Sequence, residues 1–272
     1  MTRGMRFLCL SALVLGFGIP TRAQQDVIPL QVELLNRSIN KLPFVIAEDR
    51  GLYKKHGLDV TLWMPDPDDD WGMPGSTGGI KTSVERPERP DISVDGGTPM
   101  MAAILTNATA RLRIMIATTD CVVRWHVFAR PGITSLEQLK GKRLGVSGPG
   151  AMTDFIARLF AQRMGWDRVQ DISIMSNAFT HEALDKGLVD AFVAYEVPYA
   201  DARKAGYQPL ADMRPWNVSI AGSSVRVERA WLQNPRNREA ARRFLKATVE
   251  AIALFHQGRG EVAIQVMDKW HG

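Results

Sequence analysis

Residues 47–64, AEDRGLYKKHGLDVTLWM, change within a few positions from a helical pattern to a strand pattern. Gly51 and Gly57 stand at the two changes of direction, and glycine suits the end of a helix or a turn because it has no Cβ. The two lysines before Gly57 suit the carboxyl end of a helix. The stretch predicts a helix over Leu42–His56 and a strand over Asp59–Met64. Taken alone, it predicts an α/β fold and no function.

Strand and helix patterns alternate along almost the whole chain. This alternation predicts an α/β fold in which mainly parallel sheets carry helices on their faces. Strands are predicted at Ile28–Leu35, Asp59–Met64, Asp91–Val94, Arg111–Thr118, Val122–Ala129, Arg143–Val146, Asp171–Met175, Ala191–Tyr195 and Val218–Val227. Helices are predicted at Leu42–His56, Pro99–Thr106, Met152–Met164, His181–Lys186, Tyr199–Ala205 and Asn237–His256, with a further helix beginning at Gly260.

The length of the chain suits either one large domain or two lobes of about 100 residues each. The second series of strands and helices begins after residue 121 and is long enough to stand as its own lobe. The simplest topology sends the chain into a second lobe near residue 121 and back near residue 217. The predicted units are therefore 24–121 for the first part of lobe one, 122–216 for lobe two and 217–272 for the return to lobe one.

The first 23 residues predict a secretory signal peptide. Arg3 and Arg6 give a positive start, residues 7–19 are almost wholly apolar, and the segment ends in the small residue Ala23. The apolar run of about 13 residues is shorter than the roughly 20 that a membrane-spanning helix needs. We therefore expect cleavage after Ala23 and export. A lipoprotein at Cys9 is disfavoured, because no small residue directly precedes that cysteine.

Composition argues against several classes of function. Removal of the leader, with Arg3, Arg6 and Arg22, takes the formal charge from +5 to +2. No basic tract with interleaved aromatic residues remains, so we expect no nucleic-acid partner. One cysteine, Cys121, follows the leader, which rules out an internal disulfide in the mature chain. The five histidines lack metal-ligand spacing and no nucleophile motif is present, so we expect no metal, no cofactor and no catalytic residue.

The sequence SGPGAMTD, residues 147–154, is the sharpest candidate for a binding loop. It follows a predicted strand and precedes a predicted helix, where free N–H groups favour a carboxylate, sulfonate or phosphate. Its glycines allow the backbone to approach a ligand closely. The alternative is a tight turn in which Ser147 or Thr153 caps the helix. The sequence leaves both possibilities open.

Residues 65–80, PDPDDDWGMPGSTGGI, are too rich in proline, glycine and aspartate for a regular element. The aspartates at 66 and 68–70 lack the spacing and the glycine of a calcium loop, which favours a solvated surface loop over a cation site. Trp71 suits either a ligand-stacking position or the rim of a core.

Three stretches match one family pattern in order. They are VIAEDRGLYKKHGLDVTLW at residues 45–63, ITSLEQLKGKRLGVSGPGAMTDFIARLFAQRMGWD at 133–167 and EALDKGLVDAFVAYEVPYADARKAGY at 182–207. Together they resemble the solute-binding proteins of ABC importers, in the family that includes taurine, alkanesulfonate, nitrate and thiamine-precursor binders. The resemblance covers most of the chain. Residues 65–80 depart from it, because relatives carry a short glycine-rich segment there.

The resemblance implies a periplasmic binding protein fold of type II, with two α/β lobes and a hinge between them. It implies a monomer that closes on a small-molecule ligand and delivers it to an ABC permease in the inner membrane. Relatives run several helical elements beyond the position of Gly272, so a chain truncated at its carboxyl end is also expected. The positions carried over as ligand-binding are Ser38, Asn40, Gly97, Thr98, Ser147, Ala151, Met152, Thr153 and Glu196.

Two alternative functions stay open. One is an enzyme on the same fold, such as a pyrimidine-precursor synthase or a menaquinone-pathway dehydratase, and export and the lack of a cysteine- and histidine-rich iron motif argue against it. The other is a receptor that presents its ligand to a membrane kinase. Glu196 and the acidic stretch suit a cationic group and the helix after Ala151 suits an anionic one, so an amine-bearing acid is a candidate ligand.

Overall fold

The computed structural model describes residues 26–35, 39–64, 81–82, 89–108, 110–122, 125–167, 169–258 and 260–270. At residues 81–82, 110, 120–122, 196–197, 268 and 270 the description covers the backbone alone. The predicted signal peptide at 1–23 and the acidic stretch at 65–80 lie outside the described residues.

Strands and helices alternate through the described residues as the sequence predicts. The strands, β1 to β11 in chain order, are Ile28–Leu34, Leu58–Met64, Lys81–Thr82, Ile92–Gly96, Arg113–Val122, His126–Ala129, Lys142–Val146, Ile172–Ser176, Ala191–Ala194, Pro209–Asp212 and Ser219–Glu228. The helices, α1 to α8, are Leu42–Asp49, Leu52–Lys55, Gly97–Thr106, Met152–Arg163, His181–Asp185, Glu196–Lys204, Pro235–Gln257 and Glu261–Trp270.

The described strands form two sheets. The first has the order β3-β2-β1-β4-β11-β5, and the second has the order β10-β6-β9-β7-β8. Strands β1 to β4 pair in parallel, and β11 is antiparallel to both of its neighbours. In the second sheet β6 is antiparallel to both neighbours, and β9, β7 and β8 pair in parallel. Each described sheet is therefore mainly parallel with one reversed strand, which confirms the predicted fold class.

Two crossings join the sheets, and both run between the same edges. The chain leaves β5 at its carboxyl end and enters β6 at residue 126, and it leaves β10 at residue 212 and enters β11 at residue 219. Because β6 and β11 are the reversed strands, both crossings connect the carboxyl edge of one sheet to the carboxyl edge of the other. The last pair of the β5–β11 ladder, Val122 with Ser219, lies at the crossing itself. The exact lobe boundaries at 121 and 217 stay predictions.

One hydrophobic core lies between the first sheet and helices α1, α2, α7 and α8. Inward-facing residues of β1, such as Val32 and Leu34, are fully buried there. The Phe244 ring of α7 stacks on Phe44 at 5.9 Å and on Tyr53 at 5.3 Å between ring centroids. The long amphipathic helix therefore closes the core that the opening helix–strand junction begins.

The second sheet is covered on both faces. Phe160 of α4 is fully buried with Leu144 and Val193 on one face. On the other face Phe128 and Phe192 stack at 5.5 Å beside α5 and α6. A central position between two layers of helices explains the continuous apolar run of β9, because strands buried on both faces lose the alternation of half-buried strands.

The predicted single helix Leu42–His56 is wrong, because the structure breaks it into α1 and α2. Gly51 lies between them with φ of +65°, a left-handed conformation that glycine adopts without the steric cost of a Cβ. Gly57, with φ of +70°, makes the second change of direction before β2. Both glycines of the opening stretch are therefore required by backbone geometry.

The carboxyl half of lobe two differs from the prediction in two details. Helix α6 begins at Glu196, three residues earlier than predicted, because Pro198 falls in its first turn, where a missing N–H costs no intrahelical hydrogen bond. The short edge strand β10 was not predicted, because Pro209 at its start is a weak strand former that sheets accept at their edges.

None of the helices within the described ranges combines the length and apolar character needed to cross a membrane.

We expect Phe244→Ala to lower the free energy of unfolding by about 3 to 5 kcal/mol, because it removes a fully buried ring from between two stacked partners. Urea denaturation followed by circular dichroism measures this change. Val249→Ala is the control, because Val249 lies on the same helix with 65% of its surface exposed and should change stability by about 0.5 kcal/mol or less. Equal losses in the two variants would contradict the assigned packing.

Candidate functional site

The carboxyl edges of the two sheets define the candidate site. In open α/β sheets the loops after the strand carboxyl ends carry ligand groups. In this chain Asn40 follows β1, Gly97 follows β4 and Ser147 follows β7. Helices α3 and α4, which start from the last two of these loops, also contact each other. The topology therefore brings the predicted loops of both lobes to facing edges.

A polar network centred on Ser223 occupies the lobe-one edge. The Lys41 Nζ donates hydrogen bonds to Asn40 Oδ1 at 2.9 Å and to Ser223 Oγ at 3.1 Å. The Ser223 hydroxyl lies 3.0 Å from the Asn40 carbonyl oxygen and 2.9 Å from its side-chain oxygen. Lys41 and Ser223 are both fully buried. The loop after β1 is thereby tied to the return strand β11.

Lys41 and Ser223 were missed by the sequence analysis. The only available signal was the position of Lys41 directly before an apolar helix, where an exposed lysine is the ordinary expectation. Its burial depends on Ser223, which lies 182 residues away in the sequence. A second long-range hydrogen bond holds Ser223 in position, because its backbone N–H donates to Thr119 Oγ1 at 2.8 Å.

Gly97 and Thr98 both contact the backbone of β11. A Cβ placed on Gly97 would lie 2.6 Å from the Ala221 carbonyl oxygen, so only glycine permits this approach. The Thr98 hydroxyl donates to the same Ala221 oxygen at 3.3 Å. These predicted positions thus hold the start of α3 against the return strand, and their role in ligand binding stays a prediction.

The lobe-two loop is held by hydroxyl groups. The Ser147 N–H donates to Thr153 Oγ1 at 2.9 Å, and the two hydroxyls lie 2.6 Å apart. Thr153 is almost fully buried, whereas Ser147 is half-buried. Thr153 therefore acts as the tie between strand and helix, and Ser147 is the more accessible of the two hydroxyls.

The first turn of α4 combines open N–H groups with a carboxylate. Ala151 has extended backbone before the helix and gives no side-chain cap, and Met152 is the first helical residue. Asp154 is 4% exposed, and its carboxylate accepts from the Gly150 N–H at 2.9 Å and from Arg158 Nε at 2.9 Å. This negative charge, partly balanced by Arg158, therefore lies close to any anion that binds at the start of α4.

Glu196 begins α6 at the end of the loop that follows β9, and its side chain is outside the description. The preceding Tyr195 ring packs on Trp125 with 3.9 Å between ring centroids. Trp125 is 6% exposed and lies in the crossing from β5 to β6. An aromatic pair that no sequence pattern predicts therefore lies beside the lobe-two edge.

His126 opens β6 at the same edge. Its ring packs on Tyr199 at 4.4 Å, and its Nε2 lies 3.7 Å from Asp212 Oδ1. Burial lowers the pKa of the His126 imidazole below its ordinary value of 6.5, against the opposing effect of Asp212, and Arg214 adds to the lowering. The His126 ring therefore packs against other side chains of lobe two.

Of the predicted site residues, the structure places Asn40, Gly97 and Thr98 along β11 in lobe one. It places the loop 147–153 and the start of α6 at the lobe-two edge. Ser38 lies outside the described residues. Within the described ranges, no three His, Cys, Asp or Glu side chains converge in a way that would hold a metal ion.

Two mainly parallel sheets, joined by two crossings at their carboxyl edges, define the fold of the periplasmic binding proteins. The family is shown by a sequence comparison. The chain belongs to the NMT1/THI5-like family, whose model matches residues 38–258. This result confirms the family that the three sequence stretches resemble.

Solved structures show the same fold at low identity. The aliphatic sulphonate binding protein SsuA from Escherichia coli aligns with a TM-score of 0.64 and 16% identity, over 89% of this chain and 78% of SsuA. The nitrate-binding protein NrtA from Synechocystis aligns with a TM-score of 0.62 and 16% identity, over 89% and 66%. The desulfurization enzyme DSZB aligns with a TM-score of 0.61 and 14% identity, over 89% and 81%.

A sequence relative matches this chain over part of a longer protein. The nitrate import ATP-binding protein NrtC of Synechocystis is 25% identical over 192 residues. The match covers 64% of this chain and 28% of NrtC, so this chain corresponds to less than a third of that relative.

We expect Ser223→Ala to lower the free energy of unfolding by about 1 to 3 kcal/mol, because Lys41 and Asn40 each lose a buried hydrogen-bond partner. Ser219→Ala is the matched control, an exposed serine on the same strand that should change stability by about 0.5 kcal/mol or less. Urea denaturation compares the two variants. A Ser223→Ala protein as stable as the control would show that this hydrogen-bond network does not stabilise the folded protein.

We expect part of the stability to be lost as the pH falls from 6.5 through the lower folded-state pKa of His126. In that interval the unfolded chain binds a proton that the folded chain does not, so unfolding is favoured. His126→Phe, which keeps a ring against Tyr199, should make the unfolding free energy less dependent on pH in this interval. His256→Phe, at an exposed histidine, is the control that should keep the wild-type slope. An NMR pKa of His126 at or above 6.5 would contradict the assignment.

Proposed function

We propose that this chain is the periplasmic substrate-binding protein of an ABC transporter. It captures a small polar or anionic organic solute between its two lobes and delivers it to a permease in the inner membrane. The observation that carries the proposal is the arrangement of polar loops at the carboxyl edges of both sheets, which the two crossings turn towards each other. Membership of the NMT1/THI5-like family supports it.

The lobe-one edge favours a ligand with acceptor atoms. Lys41 brings a positive charge to this edge, and the loop after β1 offers an amide side chain at Asn40. A buried cation lowers the energy of a nearby anion more strongly than an exposed one, because the local dielectric is low. Carboxylates and sulfonates therefore suit this side of the cleft.

The lobe-two edge offers hydrogen-bond donors and an aromatic wall. The half-buried Ser147 hydroxyl lies in the loop after β7, and the N–H groups at the start of α4 follow that loop. Trp125 packs on Tyr195 near the same edge. The carboxylate of Asp154 lies in the first turn of α4, so this helix start favours a ligand group of partial negative charge over a multiply charged one.

The crossings supply a simple hinge. The second connection ends at Ser219, which pairs with Val122 at the end of β5, so a change in the dihedral angles at this point would rotate one sheet relative to the other. Such a rotation closes the cleft over a ligand without a change in either core. NrtA and SsuA, which share the fold, are described as nitrate-binding and sulphonate-binding proteins.

An enzyme is the competing function, since the desulfurization enzyme DSZB shares the fold. Binding and catalysis differ in outcome, because a receptor returns its ligand unchanged. The same protein sample therefore separates the two functions when ligand stabilisation and ligand turnover are measured together.

Thermal unfolding of the mature chain, residues 24–272, tests the proposal against taurine, alkanesulfonates, nitrate, aromatic carboxylates and pyrimidines. A one-site ligand at 100 times its Kd should raise the free energy of unfolding by about 2.7 kcal/mol. Mass spectrometry of the incubated ligand then checks for turnover. Conversion of a compound by the protein, with no compound that stabilises it, would overturn the receptor function.

Two serine variants localise the ligand. Ser147→Ala should weaken binding about fivefold, the effect of one lost hydrogen bond of about 1 kcal/mol. Ser173→Ala, at an exposed serine of β8 in the same lobe, should bind as the wild type does. Unchanged affinity in Ser147→Ala, measured by isothermal titration calorimetry, would remove this loop from the site.

A further inference from the structure

The return strand β11 packs against two different cores along its length. Val225 and Val227 are buried in the core of the first sheet. Ile220, near the start of the strand, and Val218, just before it, pack instead against the core of the second sheet. The change from the lobe-two core to the lobe-one core therefore falls between residues 220 and 225.

The pairing of β11 with β5 is interrupted in the same interval. Residues 219–221 pair with residues 120–122, and regular pairing resumes at Ser224 after a register shift. Residues 222–223 therefore oppose Thr119 alone, which is the arrangement of a β-bulge, and we call them the β11 bulge. A bulge disrupts the ladder locally and bends the strand that carries the extra residue.

The pairing of β11 with its other neighbour, β4, also stops at the bulge. That ladder joins Ser223 to Gly96 and runs on into the sheet from there. Within the described part of the chain, residues 219–221 pair with β5 alone. Together with residues 120–122 they form a two-stranded ribbon that leaves the six-stranded sheet at the bulge. Because Ile220 packs on the lobe-two core, this ribbon belongs by its packing to lobe two.

A side chain spans the bulge where the backbone ladder is broken. The Ser223 N–H donates to Thr119 Oγ1 at 2.8 Å, and the Thr119 hydroxyl lies 3.5 Å from the Ser223 carbonyl oxygen. Ser223 is fully buried, so its N–H needs a partner within the protein. The Thr119 hydroxyl is that partner, and it ties the two strands at the point where they bend.

The predicted ligand positions of lobe one contact both sides of the bulge. The Thr98 hydroxyl donates to the Ala221 carbonyl oxygen at 3.3 Å, on the side of the ribbon. The Asn40 side-chain oxygen lies 2.9 Å from the Ser223 hydroxyl, on the side of the sheet. A bend at the bulge therefore moves Ala221 relative to Thr98, whereas Asn40 keeps its partner.

We propose that the β11 bulge is the pivot on which lobe two closes, and that Thr119 is the positioning residue that holds this pivot. The inference rests on the proposed receptor function, because it assigns the residues of its hinge. It places the bend three residues beyond the start of β11, not in the connection between β10 and β11. A few residues that absorb a change in dihedral angles between two packed bodies are the usual form of a hinge.

Spin labels on the mature chain locate the pivot through distances measured by double electron–electron resonance. Ser173 on β8 reports on lobe two, Lys246 on α7 reports on lobe one, and Ser219 reports on the ribbon, and all three are exposed. The interlobe pair joins Ser173 to Lys246, and the ribbon pair joins Ser173 to Ser219, each introduced as cysteines in a Cys121→Ser background. In the free protein the interlobe pair should give a broad distribution and the ribbon pair a narrow one, because the ribbon moves with lobe two.

Two results would overturn the pivot. A ribbon pair as broad as the interlobe pair would place the bend in the connection before β11. Two narrow distributions would show that the free protein does not bend at the bulge. Neither result touches the receptor function, because ligand stabilisation in the thermal-unfolding experiment tests that function separately.

Thr119→Val tests the positioning role, because it removes the partner of the Ser223 N–H and keeps a β-branched side chain. It should broaden the interlobe distribution and leave the ribbon pair narrow, whereas a general loss of packing would broaden both. Thr118→Val is the matched control, an exposed neighbour whose hydroxyl donates to the Thr119 carbonyl oxygen at 3.1 Å, and it should keep the wild-type width.

Thr119→Ser, which keeps the hydroxyl, should also give the wild-type interlobe width. Equal interlobe widths in Thr119→Val and Thr118→Val would show that Thr119 does not hold the pivot. If Thr119→Val fails to fold by circular dichroism, the two label pairs in the otherwise unchanged protein still decide where the pivot lies, and a broadened Thr119→Ser would overturn the role of the hydroxyl.

Discussion

The pairing of β11 between β4 and β5 is the constraint on which the rest of the structure depends. This strand arrives from lobe two and completes the first sheet with two antiparallel ladders. Its residues Ala221 and Ser223 contact the start of α3 and the loop after β1, respectively. Inserting one strand therefore fixes the crossing between the lobes and the positions of the lobe-one loops.

The same strand has different chemistry on its two faces and at its two ends. Val225 and Val227 are buried in the core, whereas Arg226 points to the opposite face. Ser223, near the carboxyl edge of the sheet, shares its hydroxyl with Lys41 and Asn40. A buried lysine is stable only with such partners, because desolvation of its charge is costly. The return strand thus carries polar groups to the lobe-one edge of the candidate site.

Much of the fold could be predicted from local patterns. Hydrophobic runs located most of the strands and helices, because burial imposes a period of 2 or 3.6 on the sequence. The single helix at Leu42–His56 was wrong because the left-handed conformation of Gly51 stops helical hydrogen bonding within an otherwise apolar segment. Strand β10 gave a weak signal because it is short and begins with a proline.

The sequence by itself determined the α/β class, the family and the segments that carry candidate loops, because these follow from local patterns and from motifs a few residues long. Only the tertiary structure showed that Lys41 is buried against Ser223 and that Gly97 meets the carbonyl of Ala221. Each of these contacts joins residues more than 100 positions apart or depends on the packing of several strands. Side-chain burial is set by such long-range pairing, and no local pattern encodes it.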